Sequence, residues 1–106
     1  MVVVNVAKDF TRFPSGRYKR NGSTSGEAFR EAFLEGPLVR GEKVMVELDG
    51  TVGYGSSFLE EAFGGLVRSL KMTSAQILDL LTIGTSDPLL RDEVIEYIQE
   101  AKGGSK

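Results

Sequence analysis

The chain contains no histidine, no cysteine and no tryptophan. Without histidine, serine–histidine and cysteine–histidine nucleophile pairs and histidine metal ligands are excluded. Without cysteine there is no disulfide and no thiolate metal site, which fits a cytoplasmic protein. No apolar run approaches the roughly 20 residues needed to cross a bilayer, and the N-terminus reads as lacking a signal peptide. The 13 glycines are scattered through turns. They form neither a Gly-x-x-x-x-Gly-Lys-Ser/Thr loop nor a Gly-x-Gly-x-x-Gly fingerprint, so the common nucleotide cradles are missing. Catalysis would have to rest on carboxylates, lysine or tyrosine, and the expectation is a chain without catalytic residues, cofactor or metal.

What is present is an ordinary globular composition, 41% hydrophobic and 26% charged over 106 residues. That length holds one core of a sheet and a few helices. We expect a single domain over residues 1–102 and a flexible tail over 103–106. Charge is unevenly placed. Residues 1–43 carry 8 basic and 5 acidic side chains, a net of +3, and residues 44–106 carry 5 and 10, a net of −5. A dipolar surface of this kind points to a protein partner with complementary patches rather than to a polyanion.

The chain is organised around residues 44–70. Val44, Val46 and Leu48 alternate with Met45, Glu47 and Asp49, the period of a strand with one apolar face. The glycine-rich turn Gly50-Thr51-Val52-Gly53-Tyr54-Gly55 follows. Then come Ser56 and Ser57, and Phe58, Leu59, Ala62, Phe63, Leu66, Val67 and Leu70 at helical spacing. Ser57 with Glu60 has the spacing of a capping box. Gly53 and Gly55 let the backbone bend and leave both hydroxyls uncovered at a helix start, where they would accept a phosphoryl group or bind an anion.

These residues carry a family resemblance. Glu47-Leu48-Asp49-Gly50 and Ser56-Ser57-Phe58-Leu59-Glu60-Glu61-Ala62-Phe63-Gly64-Gly65-Leu66 resemble the core of the bacterial STAS-like domain family of unassigned function. Thr24-Ser25-Gly26-Glu27-Ala28-Phe29-Arg30-Glu31 and the loop Gly16-Arg17-Tyr18 resemble it as well. That family is related to the STAS domains of anti-sigma factor antagonists, which carry Asp-Ser-Ser-Gly at this turn. In them a kinase that is also the anti-sigma factor phosphorylates the second serine. Ser57 matches that position, while Gly55 stands for the aspartate and Phe58 for the glycine. The resemblance implies an α/β, STAS-like fold and a regulatory, non-catalytic module that docks on a histidine-kinase-like ATPase, which would also act as serine kinase. The docking residues would be Tyr54, Gly55, Ser56, Ser57, Phe58 and Glu61, with Ser57 or Ser56 as phosphoacceptor. An adaptor or inhibitor using the same surface without phosphorylation is the alternative.

The rest of the chain fills in around this core. Residues 2–6 read as a strand. Residues 17–20 read as a second short strand that makes a hairpin or an edge. Thr24 and Glu27 have capping-box spacing and open a helix that Gly36 and Pro37 end. Thr73 and Gln76 form a third such pair. The segment after it is either a short helix followed by a strand at 80–85 or a helix continuing to Leu81. Asp87-Pro88 starts a last helix, which Gly103 ends. About four strands in a mixed sheet with helices mostly on one face follow.

Three features have competing readings. Arg12, Arg17, Tyr18, Lys19 and Arg20 lie in a stretch free of acidic residues and make a candidate anion or nucleic-acid patch; the competing reading is a solvated edge strand. The net charge of −2 argues against nucleic acid as the partner. Gly64-Gly65 serves either close packing of the helix on the sheet or a partner groove, and packing is sufficient. Glu60 and Glu61 point about 100° apart, so a solvated first helical turn explains them better than a shared proton or metal. Glu47 and Asp49 share a strand face but, without histidine, are weak as magnesium ligands.

Overall fold

A computed structural model describes residues 1–102. The expected tail at 103–106, and with it the Gly103 helix stop, lies outside those residues. Three strands, β1 (Val2–Asn5), β2 (Val44–Glu47) and β3 (Leu81–Gly84), pair in the order β1-β2-β3. Both pairings are parallel, with Val4 opposite Val46 and Val46 opposite Ile83. Their shared face buries Val4, Val44, Val46, Leu81 and Ile83. The other face carries the exposed Val3 and Thr82 and the half-buried Met45.

The sheet therefore has three parallel strands, where the sequence led us to expect about four in a mixed arrangement. Residues 17–20 are not a strand. The carbonyls of Gly16 and Arg17 accept from the N–H groups of Gly26 and Glu27, and residues Lys19–Asn21 close a tight 3₁₀ turn. The backbone groups that a hairpin would have used are thus engaged at a helix start.

Helix α1 (26–39) and helix α2 (56–70) share an unusual construction. Each begins and ends α-helical but widens through a π turn in the middle, at Arg30–Leu34 and at Glu60–Gly64. The Glu35 N–H bonds the Arg30 carbonyl, and the Gly65 N–H bonds that of Glu60, five residues back in each case. Such turns gather at functional or strained places in helices. Here they face each other across the helix pair.

Helix α1 does not end at Gly36 and Pro37. Pro37 is accommodated inside α1, in the segment Glu35–Val39 that follows the π turn. The helix stops at Gly41 (φ 79°), whose N–H bonds the Leu38 carbonyl while that of Glu42 bonds Pro37, a Schellman closure. Its cap is also one residue later than expected. Ser25, not Thr24, accepts from the Ala28 N–H at 3.1 Å, and the Glu27 carboxylate accepts from the Lys19 N–H.

Helix α3 (Ser74–Leu80) carries both halves of the Thr73–Gln76 capping box and passes directly into β3. The short helix followed by a strand is therefore the alternative that holds. Helix α4 (Pro88–Glu100) starts on the Asp87 cap, as expected, and packs against the middle of α2. Phe29 sits at the hub of the core, with ring centroids 5.4–6.4 Å from Phe10, Phe33, Phe58 and Phe63.

Candidate functional site

At the C-terminal end of the sheet, the loops that follow β1 and β2 are joined by a 2.9 Å bond from the Val52 N–H to the Arg12 carbonyl. That pairing places the exposed Phe13 (61%) and Val52 (67%) on neighbouring strands of loop. The second loop then runs through Tyr54 and Gly55 into α2. Tyr54 is half-buried; its hydroxyl donates to the Leu48 carbonyl at 2.7 Å and its ring lies 5.8 Å from Phe58. Burial pushes its phenol up to about 12, so it stays a neutral donor.

Gly55 is the N-cap of α2 and contributes no side chain to it, so Ser56 and Ser57 are the first two residues of the helix. The expected Ser57–Glu60 capping box is absent, because the cap is Gly55 and Ser57 already lies inside the helix; the Glu60 carboxylate bonds arginines instead. Both serines are exposed, and neither hydroxyl has a hydrogen-bond partner among the described residues. Phe58 and Glu61, expected at the docking surface, are not on it. Phe58 is fully buried in the aromatic cluster and Glu61 is 7% exposed.

A network of three arginines and three glutamates is centred on the two π turns. Arg30, almost fully buried, donates through Nη1 to the Glu61 carbonyl (2.8 Å) and to Glu61 Oε2 (2.7 Å), and through Nε to Glu35 Oε2 (2.8 Å). Arg68 takes both Glu60 oxygens at 2.7 and 2.9 Å and reaches Glu61 Oε1 at 3.2 Å. Arg17, from the loop before α1, donates to Glu60 Oε1 and to Glu61 Oε1. Ser69 completes the network by donating to Glu35.

The charges balance, and every buried polar side-chain atom among the described residues has a partner, as burial of charge requires. Bonds to Arg68, joined by Arg17 against the opposing effect of burial, hold the Glu60 carboxyl below the usual carboxylate range. Burial works against the Arg30 guanidinium, and the bonds to Glu35 and Glu61 more than offset it. The solvated first turn expected for Glu60 and Glu61 is therefore replaced by a partly buried ion-pair network.

Gly65 exists for this network. A Cβ there would strike Arg30 Nη1, and one at Gly64 would strike Glu60 Oε2 and crowd the Tyr97 carbonyl of α4. The pair does serve close packing, but against the Arg30 guanidinium, the helix's own Glu60 and the Tyr97 carbonyl of α4, where packing on the sheet was expected.

The network also disperses the basic patch. Arg17 is committed to Glu60 and Glu61, and Lys19 pairs with Glu31 at 2.6 Å. Arg20 and Arg12 lie over the Tyr18 and Phe13 rings, at 4.9 and 5.9 Å from the centroids. Asp49 turns away from the serines: it accepts from the Ser86 backbone N–H at 3.1 Å and from the Thr85 hydroxyl at 2.9 Å, which hold its carboxyl low. Glu47 lies across Gly84. No cluster of acidic side chains able to hold a metal ion occurs among the described residues, and no helix among them is long and apolar enough to cross a membrane.

Phe13 and Val52 escaped the sequence reading. Their signal was a large apolar residue inside turn chemistry, in Arg12-Phe13-Pro14 and Thr51-Val52-Gly53, where burial is not expected. The sequence shows Arg17 only as part of a basic patch, because 43 residues separate it from its partner Glu60.

Compared with known proteins, residues 25–88 match the family described as a STAS-like domain of unknown function (DUF4325). No curated protein and no solved structure gives a significant match.

Proposed function

Because the chain belongs to this STAS-like domain family, we propose that it is a non-catalytic, regulatory protein-interaction module that docks through the C-terminal end of its sheet. The docking surface consists of Phe13, Val52, Tyr54, Gly55, Ser56 and Ser57. Ser57 is the phosphoacceptor, and the partner is a protein with a histidine-kinase-like ATPase domain, as the resemblance to anti-sigma factor antagonists implies.

One observation carries this reading: both serine hydroxyls are exposed at the head of α2 and neither serves as its cap. Two exposed apolar side chains on the paired loops at the same end of the sheet, Phe13 and Val52, supply the area that a docking surface needs. In the proposed switch Ser57 Oγ displaces a nucleoside diphosphate from the γ-phosphorus of the partner's bound triphosphate, and the hydroxyl proton passes to a base of the partner. The phosphate adds a charge of roughly −1.5 to −2 at the centre of the contact and disrupts it.

The alternative of anion binding by residues 12–20 loses support, since Arg17 and Lys19 are engaged in ion pairs. Intact-mass and peptide analysis of the chain recovered from its own cells tests the switch. We expect a phosphoryl group on Ser57 in a fraction of the wild-type protein and none on Ser57→Ala. An unmodified wild-type chain under all growth conditions would reduce the reading to a phosphorylation-independent adaptor.

A further inference from the structure

An edge strand offers its unpaired backbone groups to another chain, and β3 is one edge of this sheet. In a parallel pair, each residue turns its N–H and its carbonyl to the same side, and successive residues alternate. The Leu48 N–H bonds the Gly84 carbonyl, so Thr82 and Gly84 face β2. Leu81 and Ile83 therefore face outward, where a groove of about 320 Å³ runs between β3, α3 and α4.

Two of their four outward groups are taken. The Leu81 N–H bonds the Ile77 carbonyl at the end of α3, and the Ile83 carbonyl accepts from Arg91 Nε at 3.2 Å. The Leu81 carbonyl and the Ile83 N–H have no partner among the described residues, although Leu81 and Ile83 are only 4% and 5% exposed. Buried backbone groups are rarely left in this state. The two free groups are the halves of one bridge in a parallel ladder: a single residue of an added strand donates to Leu81 and accepts from Ile83. An antiparallel strand would also need the Leu81 N–H and the Ile83 carbonyl, which are occupied. A second copy of β3 brought up by a two-fold axis is antiparallel, so the free pair suits a parallel strand from a different protein.

The groove supplies side-chain chemistry. In an added strand the residues before and after the bridging one turn to the helix side of the sheet, beside Leu81 and Ile83 respectively. The lining there is apolar, from Leu78, Leu81, Ile83 and Ile95, and Arg91 is the one charged side chain in it. Arg91 stands at the Ile83 end. Its bonds go to the carbonyls of Ile83 and Thr85, and it forms no ion pair among the described residues.

We propose that the β3 edge binds an extended peptide segment of a partner protein as a fourth parallel strand, selecting an apolar residue, any residue and an acidic residue in that order. Main-chain bonds to Leu81 and Ile83 hold the middle residue, the apolar side chain enters the groove, and Arg91 meets the carboxylate. Nothing in this site involves Ser57.

Selection of short random peptides displayed on phage against the immobilised chain tests this, followed by titration of the enriched peptide into ¹⁵N-labelled protein. Enrichment of the apolar-x-acidic pattern is expected. Bound peptide should slow hydrogen exchange of the Ile83 amide severalfold. Changing the peptide's acidic residue to its amide should weaken binding to the wild type about tenfold and binding to Arg91→Gln hardly at all. The change is made in the peptide, so the wild-type comparison does not depend on how Arg91→Gln folds. A selection that enriches no such pattern, bound peptide that leaves Ile83 exchange unchanged, or no loss on the acid-to-amide change overturns the proposal. Protection of Ile83 that rises with the chain's own concentration also overturns it, by making the occupant a second copy.

Discussion

Gly65 of α2 leaves out the one atom that would collide with Nη1 of Arg30 on α1, and by doing so lets a buried guanidinium cross between the π turns of the two helices. Gly65→Ala should therefore destabilise the fold although alanine is the better helix former. Displacing a guanidinium held by the Glu61 carbonyl and two carboxylates breaks a buried ion pair, worth about 3–5 kcal/mol. The propensity gain is about 1 kcal/mol. A net loss of roughly 2 kcal/mol or more in urea unfolding is expected.

Capping separates the serines by role. Ser25 caps α1 and is buried, so Ser25→Ala should cost about 1 kcal/mol. Thr24→Ala and Ser57→Ala remove no cap and should change unfolding free energy by less than roughly 0.5 kcal/mol. A loss on Ser57→Ala as large as that on Ser25→Ala would return Ser57 to a structural role.

Acid should weaken the fold through two carboxylates. Glu60 is held below its ordinary range by Arg68 and Arg17, and Asp49 by the Ser86 N–H and the Thr85 hydroxyl. A carboxyl with a depressed folded pKa contributes stability that is present above its unfolded pKa, about 4.3 for Glu and 3.9 for Asp, and lost as pH falls through the folded value. The midpoint of urea unfolding should therefore drop progressively below about pH 4.3. Glu60→Gln should be less stable at pH 7 and lose less between pH 7 and pH 3 than the wild type. Parallel pH profiles of the two would contradict the assignment.

The docking surface predicts a dissociation of stability from binding. Phe13 and Val52 are exposed, so Phe13→Ser and Val52→Ser should leave unfolding free energy within roughly 0.5 kcal/mol of wild type. Each should nonetheless weaken partner binding severalfold, measured by titration calorimetry with the purified partner.

Local pattern revealed the elements that local physics decides. The alternation of Val44, Val46 and Leu48 marked β2, Asp87-Pro88 marked the start of α4, and Thr73 with Gln76 marked α3. Where two nearby residues competed for one role the pattern misplaced it, as with Thr24 and Ser25. Gly36-Pro37 read as a stop because the π turn before them has no signature in composition. The 17–20 segment read as a short strand, but its backbone hydrogen bonds go to a helix start. At the candidate site the serine pair was legible from its glycine-lined turn. Its surroundings were not, because Phe58 and Glu61 are buried by contacts with segments distant in sequence.

Capture with purified baits tests the central claim most directly: wild type, Ser57→Ala, Ser57→Asp and Val52→Ser are each presented to extracts of the source cells, and the retained proteins are identified. The account predicts that wild type and Ser57→Ala retain the same protein with a histidine-kinase-like ATPase domain. It predicts that Ser57→Asp and Val52→Ser lose it. Equal retention by all four baits, or retention of no such protein by wild type, would contradict it.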